Sequence, residues 1–299
     1  MGDVLAGIHA TWAFESDAVV IRFERGIRAT NRTPRLFQAL RERRVPHEAL
    51  AEVTLAPGKR GTVVLHAVPR AGADPLMEAA AGQLKEGCDP YRLVLPADRE
   101  AAAARFRDEL RSVLSPYDAE RPADRFLVAA PEGPQSFKAY DGKASFDGKD
   151  EVAFRWSWSG AASEKWKAGD QTFRVQELSG VEWRSPESPD GCLRLVPRVR
   201  DGHEVRPLLP DHDPASVVFG RGHGPVHESL PFAAAVLSAI RHSSTRVPVA
   251  AAVVRSGAEP THDPAAIAER IRHLGELHQA GLVTDEEFSA KKAELLAEL

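Results

Sequence analysis

The chain contains an internal repeat, which limits the possible folds because the same structural unit must be built twice. Residues 11–23 and 143–155 share one pattern: an aromatic residue, a short acidic or glycine-containing turn, and then a run rich in β-branched and aromatic residues. This pattern is typical of a β-hairpin. The sequence therefore predicts two copies of a unit that each opens with a hairpin.

The correspondence between the two copies continues along the chain. In each copy a strand is predicted after a proline or glycine turn, an Asp-Pro pair then marks a further turn, and an amphipathic helix ends the unit. The paired segments are 45–53 and 173–181, the strands 61–68 and 191–199, the turns Asp74-Pro75 and Asp213-Pro214, and the helices 98–114 and 229–240, with Pro231 in the first turn of the second helix.

The predicted strands are connected by short turns, with no helix between them. This pattern favours antiparallel sheets over a parallel βαβ arrangement. Proline-rich and Ser/Pro/Gly/Ala-rich segments separate the units and are interpreted as linkers. The predicted organisation is a first repeat over 8–115, a linker over 116–135, a second repeat over 136–241, a flexible linker over 242–263 and a helical hairpin over 264–299.

Six short motifs in the repeats are Thr11-Trp12-Ala13-Phe14, Gly72-Ala73-Asp74-Pro75-Leu76, Asp89-Pro90-Tyr91, Arg155-Trp156-Ser157-Trp158, Gly180-Val181-Glu182-Trp183 and Pro210-Asp211-His212-Asp213-Pro214. Through them, most of residues 8–241 resembles an uncharacterised family with a duplicated domain of unknown function, number 4429. The resemblance implies an α+β, mostly β fold: two tandem pleckstrin-homology-like antiparallel barrels, each capped by a helix. A C-terminal α-hairpin completes the predicted fold class.

The last 36 residues carry clear helix start and stop signals. An apolar stripe begins after Asp263-Pro264, and Gly281 ends the first helix because glycine tolerates the left-handed conformation found at helix C-termini. Thr284 and Glu287 form a capping box that starts a second helix. Residues 274–296 are very similar to the SHOCT (short C-terminal) domain pattern.

A hairpin this small buries too little apolar surface to be stable alone, since domains below about 40 residues generally need a metal, a disulfide or a partner. Its apolar stripe is therefore expected to contact another copy of the chain or a different protein; docking on its own body is the alternative. The predicted association residues are Ile267, Ile271, Leu274, Leu277, Leu282, Phe288, Leu295 and Leu296.

Composition excludes several functional classes. A formal net charge of −4 supplies no global attraction to nucleic acid or anionic lipid. Cys88 and Cys192 have no partner at metal-ligand spacing, so neither a thiolate metal site nor a disulfide framework is expected. The N-terminus lacks a secretory pattern and no apolar run approaches the ~20 residues of a membrane span, so no transmembrane segment and a cytoplasmic location are expected.

The sequence contains no nucleophile elbow, P-loop or dinucleotide fingerprint. His223 and His227 are four residues apart, with His212 and Asp213 upstream, but Gly222, Gly224 and Pro225 argue against a continuous helix that would put both imidazoles on one face. An ordinary loop is favoured over a metal site. We expect no enzyme activity, no metal and no cofactor.

One basic segment stands out in this acidic chain. Residues 22–44 contain eight arginines and only two glutamates. Arginine suits phosphate recognition, and in a pleckstrin-homology-like domain basic residues on the early hairpins are where phosphoinositide headgroups would bind. The candidate anion-binding residues are Arg22, Arg25, Arg28, Arg32 and Arg35. A solvated face or an interface with an acidic partner explains the same segment.

The five tryptophans permit two interpretations. Trp156 and Trp158 are two apart on a predicted strand and would share one face. A role in the core or at a contact between domains is favoured over a ligand-stacking groove, because large aromatics are the usual filling of small β domains.

The leading hypothesis is a non-enzymatic oligomeric scaffold or adaptor, with a hairpin that binds another copy or another protein. The alternative is peripheral binding of anionic lipid or nucleic acid through the Arg22–Arg44 segment. Metal-dependent hydrolysis at the histidine loop is a third, weaker hypothesis.

Overall fold

We describe residues 3–24, 33–115, 119–198 and 208–245 of the chain in a computed structural model. The predicted C-terminal hairpin, with all eight of its association residues, lies outside these residues, as do Arg25, Arg28 and Arg32. Both repeats belong to one compact unit, Met1–Val247, and the remaining residues, Pro248–Leu299, form a separate one.

The described part of the first repeat contains two antiparallel sheets and three α-helices. One sheet has strands β1 to β4 in chain order, and the other has β5 to β7 in chain order. The strands are β1 Val4–Ala6, β2 Ala10–Phe14, β3 Ala18–Phe23, β4 Glu42–Pro46, β5 Leu50–Pro57, β6 Thr62–Pro69 and β7 Arg92–Pro96. The helices are α1 Arg35–Leu40, α2 Pro75–Ala80 and α3 Glu100–Val113.

The second repeat has the same plan. Its strands β8 to β11 form one antiparallel sheet and β12 to β14 form another. The strands are β8 Gln135–Lys138, β9 Gly142–Phe146, β10 Glu151–Trp156, β11 Gln171–Arg174, β12 Leu178–Arg184, β13 Cys192–Pro197 and β14 Ser216–Val218. The helices are α4 Ser163–Ala168, between β10 and β11, and α5 Val226–Thr245.

The predicted hairpins are confirmed, because β2 pairs with β3 and β9 with β10 in antiparallel register. Alternation explains the strands: on β10 the side chains of Val152, Phe154 and Trp156 are buried, whereas that of Arg155 is exposed. The two copies also share a 3-10 turn before the fifth strand, at His47–Ala49 and Val175–Glu177. The mostly β, α+β class is therefore confirmed.

The predicted closed barrels are not found in the described residues, where all four sheets are open. Each repeat does join its two sheets at one corner. The Ile8 N–H donates to the Val94 carbonyl at 2.7 Å, and the Tyr140 N–H donates to the Val218 carbonyl at 2.9 Å. These equivalent hydrogen bonds hold the connection between the first two strands of one sheet against the last strand of the other.

The predicted correspondence between Asp74-Pro75 and Asp213-Pro214 is wrong. The carboxylate of Asp213 accepts the N–H of Ala215 at 2.9 Å, and that of Asp89 accepts the N–H of Tyr91 at the same distance. Each motif also precedes the last strand of its repeat, so Asp213-Pro214 corresponds to Asp89-Pro90. Asp74-Pro75 instead starts α2, where the Asp74 side chain caps the N–H of Leu76.

Helix α5 begins one turn earlier than predicted, so Pro231 lies inside the helix and not in its first turn. Its Phe232, with no exposed surface, packs in a core that is shared by the two repeats. That core belongs mainly to the second repeat, but four buried side chains of the first repeat join it: Leu36, Leu76, Ala79 and Ala80. The first repeat also has a core of its own around Trp12 and Phe106.

Polar contacts also join the repeats. The side-chain amide of Gln83 donates to the Trp183 carbonyl and accepts the Ser185 N–H, both at 2.9 Å. Arg241 on α5 forms an ion pair with Glu78 on α2 at 2.9 Å. The two repeats are therefore expected to unfold together. None of the helices in the described residues has the length and apolar character needed to cross a membrane.

Candidate functional site

The described arginines of the basic segment are mostly neutralised by carboxylates. Arg22 pairs with Glu42 at 2.7 Å, and Arg44 pairs with Glu15 and Asp17. Glu15 and Asp17 come from the β2–β3 turn, which the sequence places outside the segment but the antiparallel register brings beside β4. Arg35 is exposed at the start of α1. The anion-binding role of this segment stays a prediction.

Arg43 belongs to a buried polar cluster in the first repeat. Its guanidinium donates to Asp74 at 2.7 Å, and the hydroxyl of Tyr91 donates to the other oxygen of the same carboxylate at 2.7 Å. Burial, together with the Asp74 charge, raises the pKa of the Tyr91 hydroxyl well above its ordinary value. Tyr91 therefore stays protonated as a donor, and the cluster fixes α2 against the sheet.

The second repeat has its own buried ion pair. The Lys165 ammonium, with no exposed surface, donates to Asp141 at 2.5 Å and to the Ser216 carbonyl at 2.8 Å. The other oxygen of Asp141 accepts the Val218 N–H at 2.9 Å. Burial raises the pKa of Asp141, although Lys165 opposes this shift. The pair joins α4 to both sheets of the repeat.

A cleft of about 710 Å³ lies between the two repeats. Edge strands β4 and β8 line it together with the connecting segment 128–134 and the start of α5. His227 lies at this cleft, and burial lowers its pKa, with the charge of Glu228 opposing this shift and that of Arg35 adding to it. The neutral form of its imidazole is therefore favoured.

The candidate histidines are not assembled into a metal site. His223 lies in the turn before α5 and packs against Tyr140, with ring centroids 6.3 Å apart, whereas His227 lies on α5. The Nδ1 atom of His212 lies 2.9 Å from a carboxylate oxygen of Glu164, within hydrogen-bond distance. The described residues contain no group of three or more histidine, cysteine or carboxylate side chains placed to hold a metal ion.

The cysteines are poor candidates for nucleophiles. Cys88 is half-buried and Cys192 is buried, and both are free thiols. Burial raises the pKa of each thiol above its ordinary value. The reactive thiolate is therefore scarce near neutral pH.

The tryptophans divide between the core and the surface. Trp12, Trp156 and Trp183 are buried, and the indole N–H of Trp183 donates to Ser229 of α5 at 3.0 Å. The prediction that Trp156 and Trp158 share a strand face is wrong, because β10 ends at Trp156. Trp158 lies in the following turn, 47 % exposed, with its ring centroid 5.4 Å from that of Trp166 on α4.

A row of three basic side chains, which the sequence reasoning missed, crosses the outer face of the β8–β11 sheet. Lys138 on β8 is directly opposite Lys143 on β9, which is directly opposite Arg155 on β10. All three residues are exposed. Directly opposite residues share a face of the sheet, so the three cations are neighbours. Only the strand register reveals this row, since the residues are up to 17 positions apart in sequence.

Comparisons with known proteins agree with this duplicated architecture. Residues 12–111 and 144–237 each match the family described as "Domain of unknown function (DUF4429)". Residues 269–296 match the family described as "Short C-terminal domain". No curated protein and no solved structure matches the chain. With more than half of its residues in the two matched regions, the chain belongs to the DUF4429 family, with two copies of the domain followed by a short C-terminal domain.

Proposed function

We propose that this protein is a non-enzymatic scaffold or adaptor of the cytoplasm, and that its C-terminal hairpin mediates self-association or binding of another protein. The observation that carries the proposal is the short C-terminal domain at residues 269–296, which follows a compact tandem-repeat unit. A hairpin of this size needs a partner to become stable. Its sequence offers one continuous apolar stripe for that contact.

Several hairpins joined to separate bodies gain avidity, because each binding event raises the effective concentration of the next. Both repeats contribute side chains to one core. This shared core supports the proposal that the two repeats act together as one rigid body in the assembly. We also propose a pleckstrin-homology-like fold for each repeat. Seven described strands in a four-stranded and a three-stranded sheet, followed by a helix, support it.

The alternative function is binding of anionic lipid or nucleic acid through the Arg22–Arg44 segment. Ion pairs of Arg22 and Arg44 with nearby carboxylates reduce the charge available for such a ligand. The scaffold proposal is therefore preferred.

Deletion of residues 262–299 tests the proposal. We expect full-length protein to form an oligomer and the truncated chain to have the mass of a single shortened chain, because the associating stripe has been removed. Light scattering coupled to size-exclusion chromatography measures both masses, and circular dichroism checks that the β-rich body is unchanged. A full-length monomer, or an oligomer that survives the deletion, would contradict self-association through the hairpin.

A further inference from the structure

We propose that the outer face of the β8–β11 sheet, at the end that carries Lys138, Lys143 and Arg155, is a docking surface for an anionic phospholipid bilayer. We call these three residues the cation row. The proposal goes beyond self-association and does not depend on the hairpin or on the Arg22–Arg44 segment.

The first argument is electrostatic. Like charges directly opposite one another on a sheet are destabilising, and the cation row places two such pairs side by side. In the described residues no carboxylate forms an ion pair with any of its three members, whereas Arg22 and Arg44 each have such a partner. Within the described residues the row is thus a positive patch without an ion-paired carboxylate, on a chain with a net charge of −4. The carboxylate of Asp170, just before β11 at the same end of the sheet, accepts the Trp156 N–H at 3.2 Å.

The second argument comes from the repeat itself. The positions of the first repeat that correspond to the cation row are Ala6, Thr11 and Arg22, which are paired in the same way across β1, β2 and β3. Only Arg22 is basic there, and Glu42 neutralises it. The fold is therefore built without a cation row in the first copy, so the row in the second copy is not a requirement of folding.

The third argument is the position of two exposed aromatic side chains. Tyr140 lies in the β8–β9 connection and Trp158 follows β10, so both are at the end of the sheet where the cation row lies. They are 52 % and 47 % exposed. The two connections are packed together, because a Cβ on Gly160 would lie 2.1 Å from the Tyr140 carbonyl oxygen. Tyrosine and tryptophan at loop tips beside basic residues are typical of a membrane–water interface.

The sheet face favours lipid over single-stranded nucleic acid. Base stacking requires aromatic side chains along the strand path. Next to the cation row, however, the outer face consists of Ser136, Ser145, Ala153 and Thr172, which occupy opposite positions on the four strands. A small-residue face with cations beside it and exposed aromatic side chains at its end fits a bilayer surface, where lysine and arginine contact headgroups and aromatic rings enter the interface.

The test is sedimentation of the full chain with phosphatidylcholine–phosphatidylserine vesicles and with pure phosphatidylcholine vesicles. We expect binding to the anionic vesicles only, weakening as salt is raised. Each basic residue near an anionic surface contributes about a fivefold factor. Lys138→Glu/Lys143→Glu/Arg155→Glu should therefore lower the partition coefficient by at least about 100-fold.

A matched control separates the patch from net charge. Lys59→Glu/Arg60→Glu/Arg105→Glu changes exposed residues of the first repeat by the same charge and should keep most of the binding. An equal loss of vesicle binding in the cation-row variant and in this control would overturn the proposal. So would loss in Arg25→Glu/Arg28→Glu/Arg32→Glu with retention in the cation-row variant, because the site would then belong to the first repeat.

A second measurement uses fluorescence. Brominated lipid should quench tryptophan emission of the parent chain on anionic vesicles, and Trp158→Phe should remove most of that quenching. Absence of vesicle binding at low salt, or binding of a single-stranded oligonucleotide with no vesicle binding, would also overturn the proposal. The cation-row variant should keep the mass of the parent in light scattering, so failure here is distinguishable from failure of the self-association proposal.

Discussion

Replacing Lys165 with methionine lowers the free energy of unfolding by about 3–5 kcal/mol, the usual cost of breaking a buried ion pair by removing one partner. Methionine keeps an apolar chain of similar length in a site with no exposed surface. It leaves Asp141 buried without its ammonium partner, although the Val218 N–H still donates to it. The cost arises from this uncompensated carboxylate.

Urea unfolding followed by circular dichroism measures the effect. Lys167→Met, an exposed position on the same helix, is the control and should stay within about 0.5 kcal/mol of the parent. Asp141→Asn combined with Lys165→Met should recover part of the loss, because the buried charge is then absent. If Lys165→Met were as stable as Lys167→Met, the ion pair between Lys165 and Asp141 would not stabilise the fold.

The loss of unfolding free energy in Lys165→Met should also depend on pH, and it should become smaller as the pH falls. Burial already raises the folded-state pKa of Asp141, and without Lys165 that pKa rises further. Between the unfolded and the folded pKa the folded state binds more protons, so its stability increases as the pH falls. The difference in the free energy of unfolding between Lys165→Met and the parent should therefore be largest near neutral pH and should become smaller as the pH is lowered.

Leu76→Ala should destabilise the protein by about 2–5 kcal/mol, the range for large-to-small changes in a core. Leu76 lies on α2 of the first repeat, has no exposed surface and packs in the core that contains Trp183 and Phe232 of the second repeat. The cavity therefore affects both repeats at once. We expect one unfolding transition in the parent. In Leu76→Ala the whole transition should move to a lower urea concentration.

Tryptophan fluorescence and far-ultraviolet circular dichroism, recorded over the same urea series, should give coincident transitions. Leu209→Ala, at a residue that is 69 % exposed, is the control and should leave the transition in place. Two separate transitions, of which only one moves in Leu76→Ala, would mean that the repeats fold independently.

Local patterns were enough to predict the hairpins and the mostly β class. The alternation on β10 and the aromatic openings at Trp12 and Phe146 are visible within a few residues. The Asp-Pro alignment failed because the first repeat has two such pairs, and only the hydrogen bonds of Asp89 and Asp213 identify the equivalent ones. Sequence order alone does not distinguish a strand-entry turn from a helix cap.

The candidate sites were harder to predict from the sequence than the fold class, because they depend on contacts between residues that are distant in sequence. The charge count of the basic segment missed Glu15 and Asp17, which approach Arg44 only through the β3–β4 register. The cation row was missed for the same reason, since Lys138 and Arg155 become neighbours only when Lys143 pairs with both strands. Trp158 was assigned to a strand because its spacing from Trp156 suits a strand, yet β10 ends before it.

The most direct test of the central claim is sedimentation equilibrium of the full chain beside Ile271→Asp/Leu274→Asp, over a range of concentrations. Both residues lie on the predicted apolar stripe, and burying an unpaired aspartate in an apolar contact is costly. We expect the parent to be a concentration-dependent oligomer and the double variant a monomer with an unchanged circular dichroism spectrum of the body. Glu276→Gln, on the same predicted helix, should keep the parent's oligomer. Identical masses for the parent and the double variant would contradict association through the hairpin.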